Sequence, residues 1–546
     1  MLAGETAAPG TRAGRVPRAG PFAWVRDRYR LGVGAITAAV GLFLGLRLTA
    51  WPPHEDETLV FFVARRPLSD LLDSVLNRGG APLHYLLAHV SLSLDESLVA
   101  LRLLSAIFAV ASIPVLAALV ARLAGRRTAV PAALLAAASW ALLFHGVYAR
   151  MYGLFLFLSA LSCLLLLRAL ERATGWRWVA WATATLALLA TQPYGALVLL
   201  AESVFVGLLR LRGRTSLRRP AAAAALVLVL ATPLWITYSH LASRFEVGVG
   251  PGTASELGSP LDVLAYLWEV LGDFTAGWPA ATIPVALVAL AGLVVLARRR
   301  PDAALFAGAI VLVPALALMV TRAGAGLVPE TRHLLFVLPF FAMALAAGLR
   351  EAARHAGRAA PLALGLGVAG VVALQLAWGW DKTPWLYTGE PDERAEGRSA
   401  AADWLAATGR RDDVLLGYEP TYLDAELAGA PFGALFVPRA DPELAVETLR
   451  DAGEPLGRGV WVLDASEAFD PSEAPLSIPE RVPGNGFEAR AFGPFLVVRS
   501  LEPTGGMEEF FRATILVESL GEELGVLDAG LNRATAETAL ELIRGS

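Results

Sequence analysis

The sequence predicts an α-helical polytopic membrane protein that crosses the bilayer about 11 times, with a soluble α/β domain at its C-terminal end on the outer side. Three observations predict it. Apolar residues gather in blocks close to the length of a membrane span. Arginines crowd into alternate loops. The composition changes to an ordinary soluble pattern from Gly397 onward.

Hydrophobic residues make up 55% of the 546-residue chain and charged residues 18%; a soluble domain has about 45–50% and about 25%. Mean hydropathy is +0.54. The apolar blocks fall at residues 31–50, 98–120, 129–146, 152–169, 177–192, 195–211, 220–238, 279–297, 303–321, 333–349 and 360–379. Lipid offers the backbone no hydrogen-bond partner, so each block is expected to be helical. The first block runs into Trp51-Pro52-Pro53 rather than a small-residue cleavage site, and reads as a retained anchor. Cys163 is the only cysteine, which excludes a disulfide within the chain. A net charge of −4 gives no basic field for nucleic acid. Lys382 is the only lysine among many arginines, a composition that fits a high-GC bacterium and its plasma membrane.

Arginine placement orients the spans, because basic residues concentrate in cytoplasmic loops. With the N-terminus inside, 23 arginines fall on the cytoplasmic side, among them Arg122, Arg126, Arg127, Arg210, Arg212, Arg214 and Arg298 to Arg300. Nine fall on the other side before the C-terminal region: Arg47, Arg65, Arg66, Arg78, Arg102, Arg150, Arg244, Arg322 and Arg332. Leu83–Leu94 is apolar but 12 residues long. If it spanned, every later loop would invert, so it is read as a short helix along the outer interface. The chain then divides into a basic cytoplasmic N-terminus (1–30), a membrane module (31–380) with a first outer loop (51–97), an extracytoplasmic α/β domain (381–503) and an amphipathic helical tail (504–546). Within the domain, 400–408 reads as a helix and Val414-Leu-Leu-Gly, Val460-Trp-Val-Leu and Phe495-Leu-Val-Val read as strands.

Four short motifs carry candidate chemistry. His54-Glu55-Asp56-Glu57 follows the first span. Such a cluster is ordinarily a solvated acidic loop; its functional reading is a general base or cation site at the membrane surface. Ala81-Pro82-Leu83-His84-Tyr85 reads first as a helix start, with Pro82 at the first turn. Tyr148-Ala149-Arg150-Met151-Tyr152 occupies a tight outer turn. It reads either as an aromatic-belt anchor or as a guanidinium fork for a lipid phosphate. Pro329-Glu330-Thr331-Arg332-His333 sets another arginine at the outer edge, with Pro339 further in. Asp262, Trp268, Glu269 and Asp273 mix carboxylates with aromatics in a second long loop, a composition suited to sugars but unspecific. In the derived topology all of these share one side and one depth. A polyprenyl-phosphate substrate needs that arrangement, with its tail in lipid, its phosphate on arginine and its reacting carbon near a carboxylate.

The order of these motifs resembles the GT-C class of membrane glycosyltransferases, in particular the family of protein O-mannosyltransferases and the lipid A aminoarabinose transferase (glycosyltransferase family 39-like). That family carries an acidic pair in the first outer loop, matched by Asp56-Glu57. Its Pro-Pro-Leu element is matched by Ala81-Pro82-Leu83, without the first proline. Its Arg-x-Tyr element is matched by Arg150-Met151-Tyr152. Its Arg-Tyr-Leu element is matched by Arg332-His333-Leu334, where His333 replaces tyrosine. The resemblance covers roughly residues 31–350.

It implies a GT-C fold and transfer of a sugar, with inversion, from a polyprenyl-phosphate donor to a hydroxyl of a glycan, glycolipid or protein. Asp56 would be the general base and Glu57 its catalytic neighbour. Arg150, Tyr152, Arg332 and His333 would hold the donor phosphate, and His54, Pro82, His84 and Tyr85 would line the substrate site. No metal or other cofactor is expected to be required, although related enzymes of the class use divalent cations. Two other classes compete. A transporter or flippase of a lipid-linked sugar would show inverted repeats and ionisable groups at mid-membrane; no repeat is visible, and Glu202 and Gln375 are the main polar residues within spans. A non-catalytic scaffold is argued against by the intact Asp56-Glu57 pair.

Overall fold

The structure is a computed structural model. It describes residues 28–77, 80–172, 174–246, 259–321, 330–433, 435–439, 442–464, 486–523 and 531–545. The basic stretch before Arg28, and Pro329, lie outside them.

All eleven apolar blocks are helical. Helix α1 (Arg28–Arg47) leads into three short helices, α2 (Glu55–Ala64), α3 (Leu68–Asn77) and α4 (Pro82–Leu94). Then follow α5 (Leu98–Leu123), α6 (Arg126–Ala137), α7 (Trp140–Val147), α8 (Tyr152–Glu171), α9 (Gly175–Thr191), α10 (Gly195–Leu211), α11 (Arg218–Leu230), α12 (Thr232–Glu246), α13 (Pro260–Phe274), α14 (Pro279–Arg299) and α15 (Pro301–Thr321). A 3-10 stretch (Thr331–Val337) opens α16 (Leu338–Arg354), and α17 (Ala360–Lys382) closes the bundle.

Among the described residues, seven helices are long and apolar enough to cross a membrane, and up to nine if each bent pair counts as one span. The expected count of about 11 is reduced for two physical reasons. The pairs α6–α7 and α11–α12 bend by 58° and 51°. Helices α9 and α10 have 17 residues each, about 26 Å of rise against a hydrocarbon core of about 30 Å.

Small residues allow a close helix crossing. A Cβ on Gly292 of α14 would collide with the Ala344 carbonyl of α16, and one on Gly348 with the Val288 carbonyl. Backbones can approach that closely only where side chains are absent. Two buried polar side chains inside the bundle find partners on neighbouring helices. Glu202 accepts from Ser162 (2.9 Å) and from the Trp181 Nε1–H (3.0 Å). Gln375 donates to the Leu135 and Phe274 carbonyls at 2.9 and 2.8 Å.

The Leu83–Leu94 segment does form a short helix, α4. It packs with α2 and α3 in a cluster containing Val60, Phe61, Leu71, Val75, Ala88 and Leu92, which also takes in Leu101 of α5 and Ala149. These three helices cap the end of the bundle at which α5 begins. The other end, about 36 Å away along α5, carries the ion pairs Arg122–Glu171, Arg214–Asp302 and Arg299–Glu351.

After α17 come α18 (Trp385–Thr388), α19 (Asp392–Thr408), α20 (Glu419–Leu427), α21 (Pro442–Ala452), α22 (Met507–Glu523) and α23 (Leu531–Gly545). They surround a sheet of β1 (Val414–Gly417), β2 (Gly459–Asp464), β3 (Phe487–Phe492) and β4 (Phe495–Ser500) in the order β1-β2-β4-β3. β1 and β2 are parallel, pairing Leu416 with Trp461, and β4 runs antiparallel to both neighbours. β1, β2 and β4 are buried throughout, which is why they read as unbroken apolar runs. β3 is half-buried and alternates Phe-Glu-Ala-Arg-Ala-Phe, so it is the strand that the sequence reading lacks. Ala401, Leu405 and Tyr422 cover one face of the sheet. Phe510, Phe511 and Ala536 of the tail helices cover the other.

Candidate active site

The first turn of α2 is built by its own side chains. His54 is the N-cap: its Nδ1 accepts from the Asp56 N–H at 3.2 Å, and Glu57 Oε2 accepts from the His54 N–H at 3.0 Å. This reciprocal cap satisfies donors that a helix start otherwise leaves open. It also sends the carboxylates of Asp56 and Glu57 in different directions.

Glu57 turns inward and is fully buried. Arg102 grips it with two bonds, Nε to Oε1 at 3.0 Å and Nη2 to Oε2 at 2.7 Å. The same guanidinium donates to the carbonyls of Leu48 (2.9 Å), Trp51 (2.7 Å) and Pro52 (2.9 Å). The Ala149 N–H donates to Glu57 Oε1 at 2.9 Å. One buried pair thus ties together α2, the end of α1, α5 and the turn before α8. Glu57 therefore meets the arginine of α5 rather than open space for an acceptor. Arg102 is absent from the sequence-derived site, although an arginine five residues into an apolar block was the available signal.

Asp56 turns toward the spans, with its side chain 30% exposed. Tyr148 donates its hydroxyl to Oδ2 at 2.6 Å. Arg150 Nη1 lies 3.6 Å from Oδ1, and Arg332 Nη1 lies 3.6 Å from Oδ2. A committed charge-assisted N–H···O bond is about 2.7–2.9 Å, so both guanidinium groups face the carboxylate without closing on it. Burial alone raises the Asp56 pKa, but Arg150, His54, Arg332 and the Tyr148 hydroxyl outweigh burial and hold it well below the usual carboxylate range.

Local structure explains why the arginines stand there. Arg150 follows Tyr148, the extended C-cap of α7. Its carbonyl accepts from Ser105 Oγ at 3.0 Å, and its Nη1 donates to the Asp56 carbonyl at 3.3 Å. Arg332 sits in the 3-10 stretch, which α13 and α17 anchor. Thr331 Oγ1 donates to Asp273 Oδ2 at 2.6 Å, Lys382 pairs with Asp273 Oδ1, and Tyr266 donates to the Glu330 carbonyl at 3.1 Å. Asp273 thus holds a helix junction, and Asp262 serves in the cap of α13 with Ser259. The guanidinium of Arg332 also pairs with Glu330 and lies 5.0 Å over the Tyr152 ring.

Imidazoles and aromatics line the remaining side. His333 stacks on Tyr194 at 4.3 Å and lies 6.3 Å from the Tyr152 ring. His145, which the sequence reading does not single out, is buried 4.8 Å from the Tyr152 ring. His84 of α4 is 4% exposed, and its Nε2 has no hydrogen-bond partner among the described residues. Burial, aided by Arg150, lowers its pKa to about 3, so its imidazole is neutral. Tyr85 beside it feels the charges of Arg150 and Asp56. Pro82 stands at the first turn of α4 and starts the helix. The structure therefore brings His54, Asp56, Arg150, Tyr152, Arg332, His333, His84 and Tyr85 to one end of the bundle and adds Tyr148 at the centre. Among the described residues, no group of three or more His, Cys, Asp or Glu side chains is placed to hold a metal ion.

Comparison with known proteins bears on the fold. Residues 80–238 match the family model described as dolichyl-phosphate-mannose-protein mannosyltransferase. The structure of ArnT from Cupriavidus metallidurans in the apo state aligns with a TM-score of 0.53 at 17% identity, covering 86% of this chain and 97% of that one. The same protein bound to undecaprenyl phosphate aligns at 0.52 and 16%, covering 88% and 98%. The apo oligosaccharyltransferase of Archaeoglobus fulgidus aligns at 0.52 and 12%, covering 81% and 70%. No curated protein matches by sequence. At these identities the likeness is one of fold: this multi-pass membrane protein has the ArnT-like GT-C architecture.

Proposed function

We propose that the protein is an inverting glycosyltransferase that moves a sugar from a polyprenyl-phosphate donor to an acceptor hydroxyl at the outer face of the membrane. The observation that carries this reading is the pair of guanidinium groups converging on Asp56 at 3.6 Å each. A phosphate entering between them gains two forked cationic partners. The matched family model and the ArnT-like fold support a lipid-phosphate donor.

The chemistry follows from the placement. Asp56 takes the proton of the acceptor hydroxyl while the acceptor oxygen bonds to the anomeric carbon from the face opposite the phosphate. The carbon–phosphate oxygen bond breaks, its electron pair leaves on the polyprenyl phosphate, and Arg150 and Arg332 stabilise that charge as it grows. A carboxylate held at low pKa is a weak base. The entering phosphate corrects this, because it draws the two arginines away from Asp56 and lets the carboxylate recover proton affinity. Tyr152 and His333 frame Arg332, and His84 supplies a neutral imidazole beside Arg150. No step here calls on a metal. The transporter alternative loses ground because the buried carboxylate of Glu202 is bonded by Ser162 and Trp181 within the bundle.

The test uses purified protein, a panel of polyprenyl-phosphate sugars, and release of free polyprenyl phosphate. One donor should be turned over, and Asp56→Asn should lower kcat by about 10²–10⁴-fold. Equal release by both proteins would remove Asp56 as the base. Lipid flipping without release would favour the transporter.

A further inference from the structure

Glu55, Asp56 and Glu57 stand in succession on the first turn of α2, about 100° apart around its axis. Each reaches a different part of the molecule. Glu57 goes to Arg102 of α5, and Asp56 to Tyr148, Arg150 and Arg332. Glu55 goes to the C-terminal domain: Arg439 Nε lies 2.9 Å from its Oε2, with the side chains 4% and 17% exposed respectively.

This ion pair is the centre of a larger seam. Tyr418 donates its hydroxyl to the Pro53 carbonyl at 2.6 Å, one residue before the cap of α2. The Glu390 N–H donates to the Ala50 carbonyl at 2.9 Å. Phe436 stacks on Phe62 at 4.3 Å, and Arg65 pairs with Glu426 at 2.9 Å. Arg439 is itself braced from behind, since Thr535 of α23 donates to its carbonyl. Glu518 of α22, bonded by Asn532 at 2.6 Å, adds its charge nearby. The tail helices therefore support the arginine that meets Glu55.

We propose that the C-terminal domain completes the catalytic centre, with Arg439 as a positioning residue that sets the first turn of α2 through Glu55 and so aims Asp56 between Arg150 and Arg332. This rests on the glycosyltransferase reading. It assigns the domain a function in the reaction beyond any contact with an acceptor. Without Arg439 the turn keeps its anchor to Arg102 but loses its charged contact with the C-terminal domain at Glu55, and Asp56 can swing. A misplacement of about 1 Å at a reacting group costs about 10²-fold in rate.

The test compares the full-length wild type with Arg439→Gln, Arg439→Lys, Glu55→Gln and the double variant Glu55→Gln/Arg439→Gln. Two readouts are followed: donor turnover and amide hydrogen exchange of residues 54–64. Either single neutral variant should lower kcat about 10- to 100-fold with the donor KM within twofold of wild type. The double variant should be no worse than the worse single one, since both remove one interaction. Arg439→Lys should recover most of the loss. Exchange should speed up at the start of α2 and stay unchanged in α5 and α8. Unchanged exchange in α2, additive losses, or a rise in KM with kcat intact would overturn the proposal. If Arg439→Gln does not fold, Glu55→Gln and Arg439→Lys carry the same comparison. A wild type inactive with every donor would defeat the transferase reading, while the exchange measurement would still decide the clamp.

Discussion

Asp56 is pulled two ways, by burial that favours its neutral form and by cations and a phenol that favour its charge. Charge wins, so the carboxylate stays ionised to unusually low pH. Its folded pKa lies below the ordinary 3.8, so its contribution to stability is present above that value and is lost as pH falls through the depressed one. The same sign governs turnover. The acid limb of kcat/KM reports the free enzyme and should lie below pH ~4 in the wild type. Tyr148→Phe removes a hydrogen bond that favours the carboxylate, and should move that limb upward by about one unit. An unmoved limb in a pH–rate series would show that Tyr148 does not set the charge of Asp56. The residue types of the site were legible in the sequence, but their division of labour was not. Asp56 and Glu57 are adjacent letters, yet a step of about 100° around a helix turns one toward the arginines of the site and buries the other against Arg102.

The helices of the bundle were visible as apolar blocks because lipid allows no other backbone solution. Bends were not visible, since α7 and α12 continue the apolar runs of α6 and α11 across breaks of 58° and 51°. The break before α7 bears on the candidate site, because α7 ends in the turn that carries Tyr148 and Arg150. The 3-10 stretch that carries Arg332 is an irregular element held by Asp273, Thr331 and Lys382, groups far apart in sequence. Close packing of α14 on α16 occurs at Gly292 and Gly348. Gly292→Leu should destabilise the bundle by about 1–3 kcal/mol or more through overpacking, read as a lower melting temperature in detergent. An unchanged melting temperature would mean that the two helices do not meet there.

For the molecule as a whole, the two ends of the bundle differ in kind. One end gathers α2, α3, α4, the candidate site and the C-terminal domain. The other carries exposed arginine–carboxylate pairs. The positive-inside rule assigns the arginine-rich end to the cytoplasm, so the C-terminal domain should face outward. Cys163 is buried, which makes a clean test available. In a Cys163→Ser background, Glu508→Cys on the exposed start of α22 should react with a membrane-impermeant maleimide in intact cells. Reaction only after lysis would invert the topology and place transfer on the inner side.

By itself the sequence determined the class of the protein. Its apolar blocks required helices in lipid, its unbroken Val/Leu strands required a sheet covered on both faces, and four polar motifs in order marked one end of the bundle. Those properties follow from local composition and period, which neighbouring residues impose on one another. Tertiary structure decided the rest: that Arg102 belongs to Glu57, that Arg150 and Arg332 meet at Asp56, and that Arg439 reaches Glu55. Each of those is a pairing of charges across tens or hundreds of residues, and only the folded chain sets which charge lies within a few ångströms of which.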